Sequence, residues 1–97
     1  MLRLVKFYMT CGKLGDIEGL FVLKEDAWNL LQKDIDNGSK LYFYEVLGKY
    51  SEVTATLHKD HITMVSDDQE FLKKLTLIVG WHLGGVYLPD YIEGNQE

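Results

Sequence analysis

The sequence has little cysteine, little positive charge and no long apolar run, and each shortage excludes a class of protein. Cys11 is the only cysteine, so neither an internal disulfide nor a cysteine-rich zinc site can form. No apolar stretch reaches the length of about 18 residues that a membrane-spanning helix requires, and the amino terminus has no signal-type pattern. We therefore expect a cytoplasmic protein without a membrane partner.

Positive charge is scarce and scattered along the chain. Lys and Arg number 10 against 15 Asp and Glu, which gives a net charge of −5. Binding to phosphate backbones or anionic membranes depends on local positive charge, so we expect no direct contact with nucleic acid. A protein partner that presents a basic surface remains compatible with this charge.

Signatures of catalysis and of cofactor binding are also missing. No Gly-x-Ser-x-Gly nucleophile motif occurs, and Cys11 is predicted to be a half-buried residue at a strand end. The glycines of residues 12–15 lack both the Walker spacing and a following helix start, which favours a flexible connector over a phosphate site. We expect a non-enzymatic protein that holds no cofactor.

Apolar residues, by contrast, are abundant and regularly spaced. They make up 46% of the 97 residues, enough for one α+β domain over residues 1–97. Their spacing predicts an antiparallel β-meander packed against two helices, in the order β-β-α-β-β-β-α with an ordered C-terminal tail. The predicted strands are residues 2–9, 20–23, 41–46, 52–57 and 62–65. Short connections predict that the last three strands are antiparallel neighbours in sequence order.

Both helices follow from apolar residues at helical spacing. The first is predicted from residue 24 to residue 37, with Glu25 and Asp26 in its first turn. The second follows a capping box that begins at Ser66 or at Asp67. Its predicted buried stripe consists of Phe71, Leu72, Leu75, Ile78 and Val79.

The densest polar cluster surrounds the predicted turn between the third and fourth strands: Glu45, Lys49, Tyr50, Ser51 and Glu52. A two-residue turn at Gly48-Lys49 would place Glu45 directly opposite Glu52. Like charges in that position destabilise a hairpin unless a cation, a partner's donor, a metal or a shared proton intervenes. The alternative is a longer turn, which lets both carboxylates point into water.

The next turn contains His58 and His61 with Asp60 between them. Two imidazoles and a carboxylate can bind zinc, but a structural site needs four protein ligands, and His82 is the only other histidine. A polar hairpin loop explains these residues as well, so we expect no metal.

Two further sets of residues are candidates for partner binding. Asp67 and Asp68 extend the acidic surface before the second helix. Trp81, Tyr87 and Tyr91 lie in a tail, residues 81–92, that is too apolar to be free and is expected to pack on the domain or on a partner. Aromatic side chains are common contact residues in interfaces, although in a small domain they also build the core.

Residues 44–53, with the sequence Tyr-Glu-Val-Leu-Gly-Lys-Tyr-Ser-Glu-Val, are followed by Val65-Ser66-Asp67-Asp68 before a helix. This pattern resembles small proteins of phage and other mobile-element genomes that have a Gly-Lys-x-Ser-Glu-Val hairpin. The resemblance implies an accessory protein that binds a host or phage macromolecule or sequesters a small molecule. The resemblance does not assign an activity to any residue of the hairpin.

The leading hypothesis is a small binding or inhibitory accessory protein that acts through the acidic hairpin tip, the aromatic tail or both. Two alternatives stay open. One is a homo-oligomer that sequesters a small ligand between its subunits. The other is a small hydrolase-like enzyme that uses Glu45 and Glu52 as an acid–base pair.

Overall fold

A computed structural model describes residues 1–12, 15–44 and 52–92, which form an α+β fold. The elements are β1 (Arg3–Thr10), β2 (Asp16–Leu23), α1 (Glu25–Asp36), β3 (Lys40–Tyr44), β4 (Glu52–Thr56), β5 (Ile62–Ser66), α2 (Gln69–Ile78) and β6 (His82–Gly85). The predicted class and element order are confirmed, and β6 is an additional strand formed by the tail. Neither helix in these ranges has the length and apolar character needed to span a membrane.

β1 and β2 form a long hairpin. They pair from Arg3 opposite Leu23 to Thr10 opposite Asp16. β2 begins four residues before the predicted strand at residue 20, because Ile17 is buried and continues the inward alternation despite the glycine-rich composition around it. Residues 13 and 14 of the predicted glycine connector lie outside the described residues.

The strand order differs from the predicted meander. The larger sheet has the order β5-β1-β2-β6, and β3 and β4 form a separate two-stranded sheet. The prediction that β4 and β5 are neighbours is wrong, since β5 pairs with β1, placing Ile62 opposite Phe7. A 3-10 turn at Lys59–His61 lies where the chain passes from one sheet to the other.

The two faces of the larger sheet carry separate apolar clusters, because successive strand residues point to opposite faces. The main core contains Val5 and Phe7 of β1, together with buried residues of β2, α1, β3 and the tail. The smaller cluster lies on the other face, where Leu72 of α2 packs against Leu4 and Val22. α1 and α2 therefore belong to opposite faces of the sheet.

α2 buries less apolar surface than its sequence predicts. Leu72 is fully buried and Leu75 is half-buried, as expected. Phe71, Ile78 and Val79 are exposed, so this part of the predicted stripe is wrong. The apolar residues of the smaller cluster under the helix do not include these three.

The start of α2 also differs from the predicted capping box. Asp68 is the N-cap, and its Oδ1 accepts a hydrogen bond of 3.2 Å from the amide of Phe71. Gln69 instead binds the backbone of Leu2 with its side chain: Oε1 accepts from the Leu2 amide at 2.7 Å and Nε2 donates to the Leu2 carbonyl at 2.8 Å. The helix start is thereby tied to the beginning of β1.

The tail packs back on the domain, which confirms one of the two predicted outcomes. β6 pairs with the free side of β2, placing His82 opposite Phe21. Val86, Leu88 and Ile92 are buried in the main core. Ile92 also forms an isolated antiparallel bridge with Leu41 of β3, so the tail contacts both sheets.

Two glycines allow the tail to approach β2 this closely. A Cβ atom on Gly19 would lie 2.0 Å from the carbonyl oxygen of Val86, and one on Gly85 would lie 2.1 Å from that of Glu18. Gly85 also has a φ of +68°, in the left-handed region. Both positions therefore exclude any other residue without movement of the backbone.

Replacing Gly19 by alanine should lower the free energy of unfolding by about 3 kcal/mol, because the new methyl group forces the tail away from β2. Gly84→Ala is the matched control on the neighbouring strand, since no atom lies within 4 Å of its Cβ position. We expect the control to change the unfolding free energy by less than about 0.5 kcal/mol in urea denaturation. Equal losses in the two variants would contradict this placement of the tail.

Candidate binding surface

The predicted hairpin site lies mostly outside the described residues, including Glu45, Lys49, Tyr50 and Ser51. The register of the strands is visible, however, and pairs Glu52 with Tyr44. The predicted register, with Glu45 opposite Glu52, is therefore wrong. Seven residues, 45–51, separate the paired positions, whereas a regular hairpin with a two-residue turn separates each pair by an even number.

The three predicted aromatic residues of the tail have different environments. The Tyr91 ring stacks on that of Phe43 with centroids 5.0 Å apart. The half-buried Tyr87 ring lies edge-on to that of Phe21 at 5.3 Å. Trp81 is the most accessible of the three, with 40% of its surface exposed. Tyr87 and Tyr91 thus support the core, while Trp81 presents its indole to solvent.

The position of Trp81 is fixed by its neighbours. Gly80, with a φ of +102°, turns the chain after α2. The carbonyl of Trp81 then accepts a 2.7 Å hydrogen bond from the amide of Val22. Lys24 Nζ lies 5.3 Å from the centroid of the indole ring, within cation–π distance. These contacts hold the indole beside the start of α1.

A shallow cleft of about 360 Å³ lies next to the indole. Burial, followed by the negative charge of Asp90, raises the pKa of the Tyr87 hydroxyl. That hydroxyl is therefore a protonated donor at neutral pH. The cleft combines apolar walls with one cation and one anion, and its lining residues are Val22, Lys24, Asp26, Ala27, Trp81 and Tyr87.

Exposed apolar side chains lie at the end of α2 and continue to Trp81. We call residues 77–81 the apolar segment. Leu77 is 86% exposed, Ile78 82% and Val79 55%. Helical spacing assigned Ile78 and Val79 to the buried stripe and therefore missed this surface. The residue in the sequence that could have indicated this exposed surface is Leu77, a large apolar residue outside the predicted buried stripe of α2.

The acidic residues before α2 are accessible. Asp67 and Asp68 are both exposed. Asp68 uses one carboxylate oxygen to cap the helix, and the backbone carbonyl of Asp67 accepts a 2.6 Å hydrogen bond from Gln69. The carboxylate of Asp67 forms no ion pair within the described residues.

A second depression and the single cysteine offer less to a ligand. The depression, about 380 Å³, is open to solvent and is lined by Lys6, Glu18, Gly19, Leu20, Gly84 and Gly85. Cys11 is half-buried directly after β1, as predicted. Burial raises the pKa of its thiol, which keeps the sulfur in its less reactive protonated form.

The histidine turn is closed by its own backbone. His58 Nδ1 accepts a hydrogen bond from the Asp60 amide, and His61 Nδ1 accepts one from the His58 amide, each at 3.2 Å. Both imidazole rings are thereby held by the backbone of their own turn. Within residues 1–12, 15–44 and 52–92, no group of three or more His, Cys, Asp or Glu side chains could hold a metal ion.

Acid should weaken this turn. Burial lowers the pKa of His61, His58 lowers it further and Asp60 opposes the shift. Because the folded pKa lies below the ordinary value of about 6.5, the unfolded chain takes up the proton first. The contribution of neutral His61 is therefore complete above pH of about 6.5 and is lost as the pH falls through the folded pKa.

His61→Asn keeps an acceptor oxygen near the position of Nδ1 but cannot titrate. In urea unfolding between about pH 7 and pH 5, the variant should lose less stability than the parent protein. A pH dependence identical to that of the parent would show that His61 does not titrate differently in the two states.

The described geometry brings Trp81 and Tyr87 together at one cleft and places Asp67, Asp68 and Tyr91 elsewhere. The chain matches no protein-family model, no curated protein and no solved structure. The apolar segment with its neighbouring cleft is the candidate binding surface.

Proposed function

We propose that this protein is a small non-enzymatic binding protein whose contact surface is the apolar segment. The observation that carries the proposal is the exposure of four large hydrophobic residues within five consecutive positions. Burying apolar surface stabilises a protein by about 25 cal/mol per Å². Folding of this chain leaves the side chains of the apolar segment exposed, so a partner that covers them would gain that free energy. Several exposed large apolar side chains in one short segment, one of them a tryptophan, are typical of a protein interface.

The partner that fits this surface is a protein with an apolar contact flanked by basic groups. The chain has a net charge of −5, while Lys24 and Asp26 balance each other within the cleft. The last turn of α2 contains no basic residue, so the partial negative charge of the helix end is not neutralised by its own side chains. A cationic group of a partner would be stabilised there.

The non-enzymatic part of the proposal is supported by the dispersal of side chains suited to proton transfer. His58 and His61 bind the backbone of their own turn. Asp16 accepts a 2.8 Å hydrogen bond from the hydroxyl of Tyr8, at the far end of the β1–β2 hairpin. These pairs do not meet at either cleft. An accessory protein that binds a macromolecule is also what the resemblance to phage-type proteins implies.

The apolar segment should contribute little to folding. Ile78→Ser should change the free energy of unfolding by less than about 0.5 kcal/mol, because the side chain is largely exposed. Leu72→Ala, on the buried side of the same helix, should cost about 3 kcal/mol. Urea denaturation of both variants measures the difference. A loss for Ile78→Ser as large as that for Leu72→Ala would contradict the exposed placement of the segment.

Site-specific photocrosslinking in the organism that encodes the protein tests the function directly. A photoreactive residue at Leu77 should form a discrete adduct with another protein, and Trp81→Ala in the same chain should reduce its yield. The control places the photoreactive residue at position 33 instead, where Lys33 is exposed in the last turn of α1. Two results would overturn the proposal. The photoreactive residue at position 77 could give no adduct beyond those obtained at position 33, or its adduct could form equally well in the Trp81→Ala variant.

A further inference from the structure

The cleft beside the indole of Trp81 contains two opposite charges. Lys24 and Asp26 both line it, and both are exposed. In the described part of the chain they form no ion pair, either with each other or with another residue. The ammonium group of Lys24 lies instead over the indole, 5.3 Å from the ring centroid. Both charges are therefore available to an occupant of the cleft.

The other walls of the cleft are apolar and are fixed by the core. Val22 is buried, and its amide is hydrogen-bonded to the carbonyl of Trp81. Ala27 packs against the main core, and the ring of Tyr87 lies edge-on to that of Phe21. The volume of about 360 Å³ is near the lower end of the range for ligand sites, which gives room for one ring.

The two charges limit what can occupy this space. A cationic group would be repelled by Lys24, and a carboxylate would be repelled by Asp26. An aliphatic side chain would displace water from both charges without replacing its hydrogen bonds, which costs free energy. The complementary occupant is neutral, with a region of negative potential for the ammonium group and a hydrogen-bond donor for the carboxylate.

An aromatic ring that carries a donor on its edge meets both requirements. The face of the ring is the negative part of its quadrupole and attracts a cation. The hydroxyl of a phenol donates to a carboxylate, and a hydrogen bond to an ionised acceptor is stronger than one between neutral groups.

We propose that the cleft binds a tyrosine side chain of the protein partner, with the ring face against Lys24 and the hydroxyl donating to Asp26. The inference rests on the proposed function, because it names an anchor residue of the same partner. Aromatic anchors in preformed pockets are typical of the residues that dominate the affinity of an interface.

Titration of the full chain with three N-acetylated amino acid amides tests the pocket. Their side chains are those of tyrosine, phenylalanine and cyclohexylalanine, so the ring has a donor, has no donor, or is saturated and lacks a π face. The chemical shift of the Trp81 indole N–H reports binding, and that of Trp28, which packs against the main core, is the internal control. We expect millimolar dissociation constants that rise about threefold from tyrosine to phenylalanine and about threefold again to cyclohexylalanine.

Each charge should account for one step of this order. Asp26→Ala should remove the preference for the tyrosine amide over the phenylalanine amide. Lys24→Met, which keeps the length of the side chain, should remove the preference for the phenylalanine amide over the cyclohexylalanine amide. Asp36→Ala and Lys33→Met, at exposed positions near the end of α1, are the matched controls and should leave both preferences unchanged. Circular dichroism confirms that each variant is folded.

Either of two titration results contradicts the tyrosine anchor. The cyclohexylalanine amide could bind as tightly as the tyrosine amide, which would make the cleft a purely apolar contact. Alternatively, none of the three amides could shift the Trp81 signal more than the Trp28 signal.

The crosslink from Leu77 separates this inference from the proposed function. Its yield should fall severalfold in the double variant Lys24→Met, Asp26→Ala. An unchanged adduct in that variant would count against the tyrosine anchor while the proposed function stands. If no adduct forms even in the parent chain, the proposed function fails, and the titration still decides whether the cleft selects tyrosine.

Discussion

The backbone of the tail meets the backbone of β2 at Gly19 and Gly85, and closure of the main core depends on this contact. The amide of Val86 donates a 2.8 Å hydrogen bond to the carbonyl of Glu18. From that point the chain places Val86, Leu88 and Ile92 in the core, and Ile92 reaches β3 in the second sheet. A side chain at either glycine would separate the tail from the sheet that it covers.

This contact divides residues 77–92 into two segments that differ in burial. Residues 82–85 form β6, and Val86, Leu88 and Ile92 after it are buried in the main core. Residues 77–81 precede them and remain at the surface, with the Trp81 backbone held by Val22 and its indole exposed. Because the apolar segment contributes little to the core, its side chains are available to a partner without loss of stability in the monomer.

Much of the fold could be predicted from the sequence because its signals are local. Strand-like apolar spacing identified β1, helical spacing identified α1, and the apolar content of the tail predicted that it packs. The β4–β5 adjacency failed because short connections constrain neighbours only when both strands belong to one sheet. The hairpin register failed because residues 41–44, Leu-Tyr-Phe-Tyr, are apolar or aromatic on both faces, so their pattern does not distinguish a shift of one position.

The candidate surface was harder to predict because it depends on what each element packs against. Helical spacing shows that Phe71, Leu75 and Ile78 share one side of α2, but it does not show how much of the sheet lies beneath that side. Trp81 is equally suited by composition to a core or to a surface. Its exposure follows from the turn at Gly80, which only the three-dimensional arrangement reveals.

Native-state hydrogen exchange of the Val86 amide tests the central claim, that the tail is an integral part of the fold, most directly. This amide donates to Glu18 at the contact between the tail and β2. We expect it to exchange as slowly as the central amides of β1, with the free energy of global unfolding. Rapid exchange of Val86 through local opening, while the amides of β1 remain protected, would contradict the account.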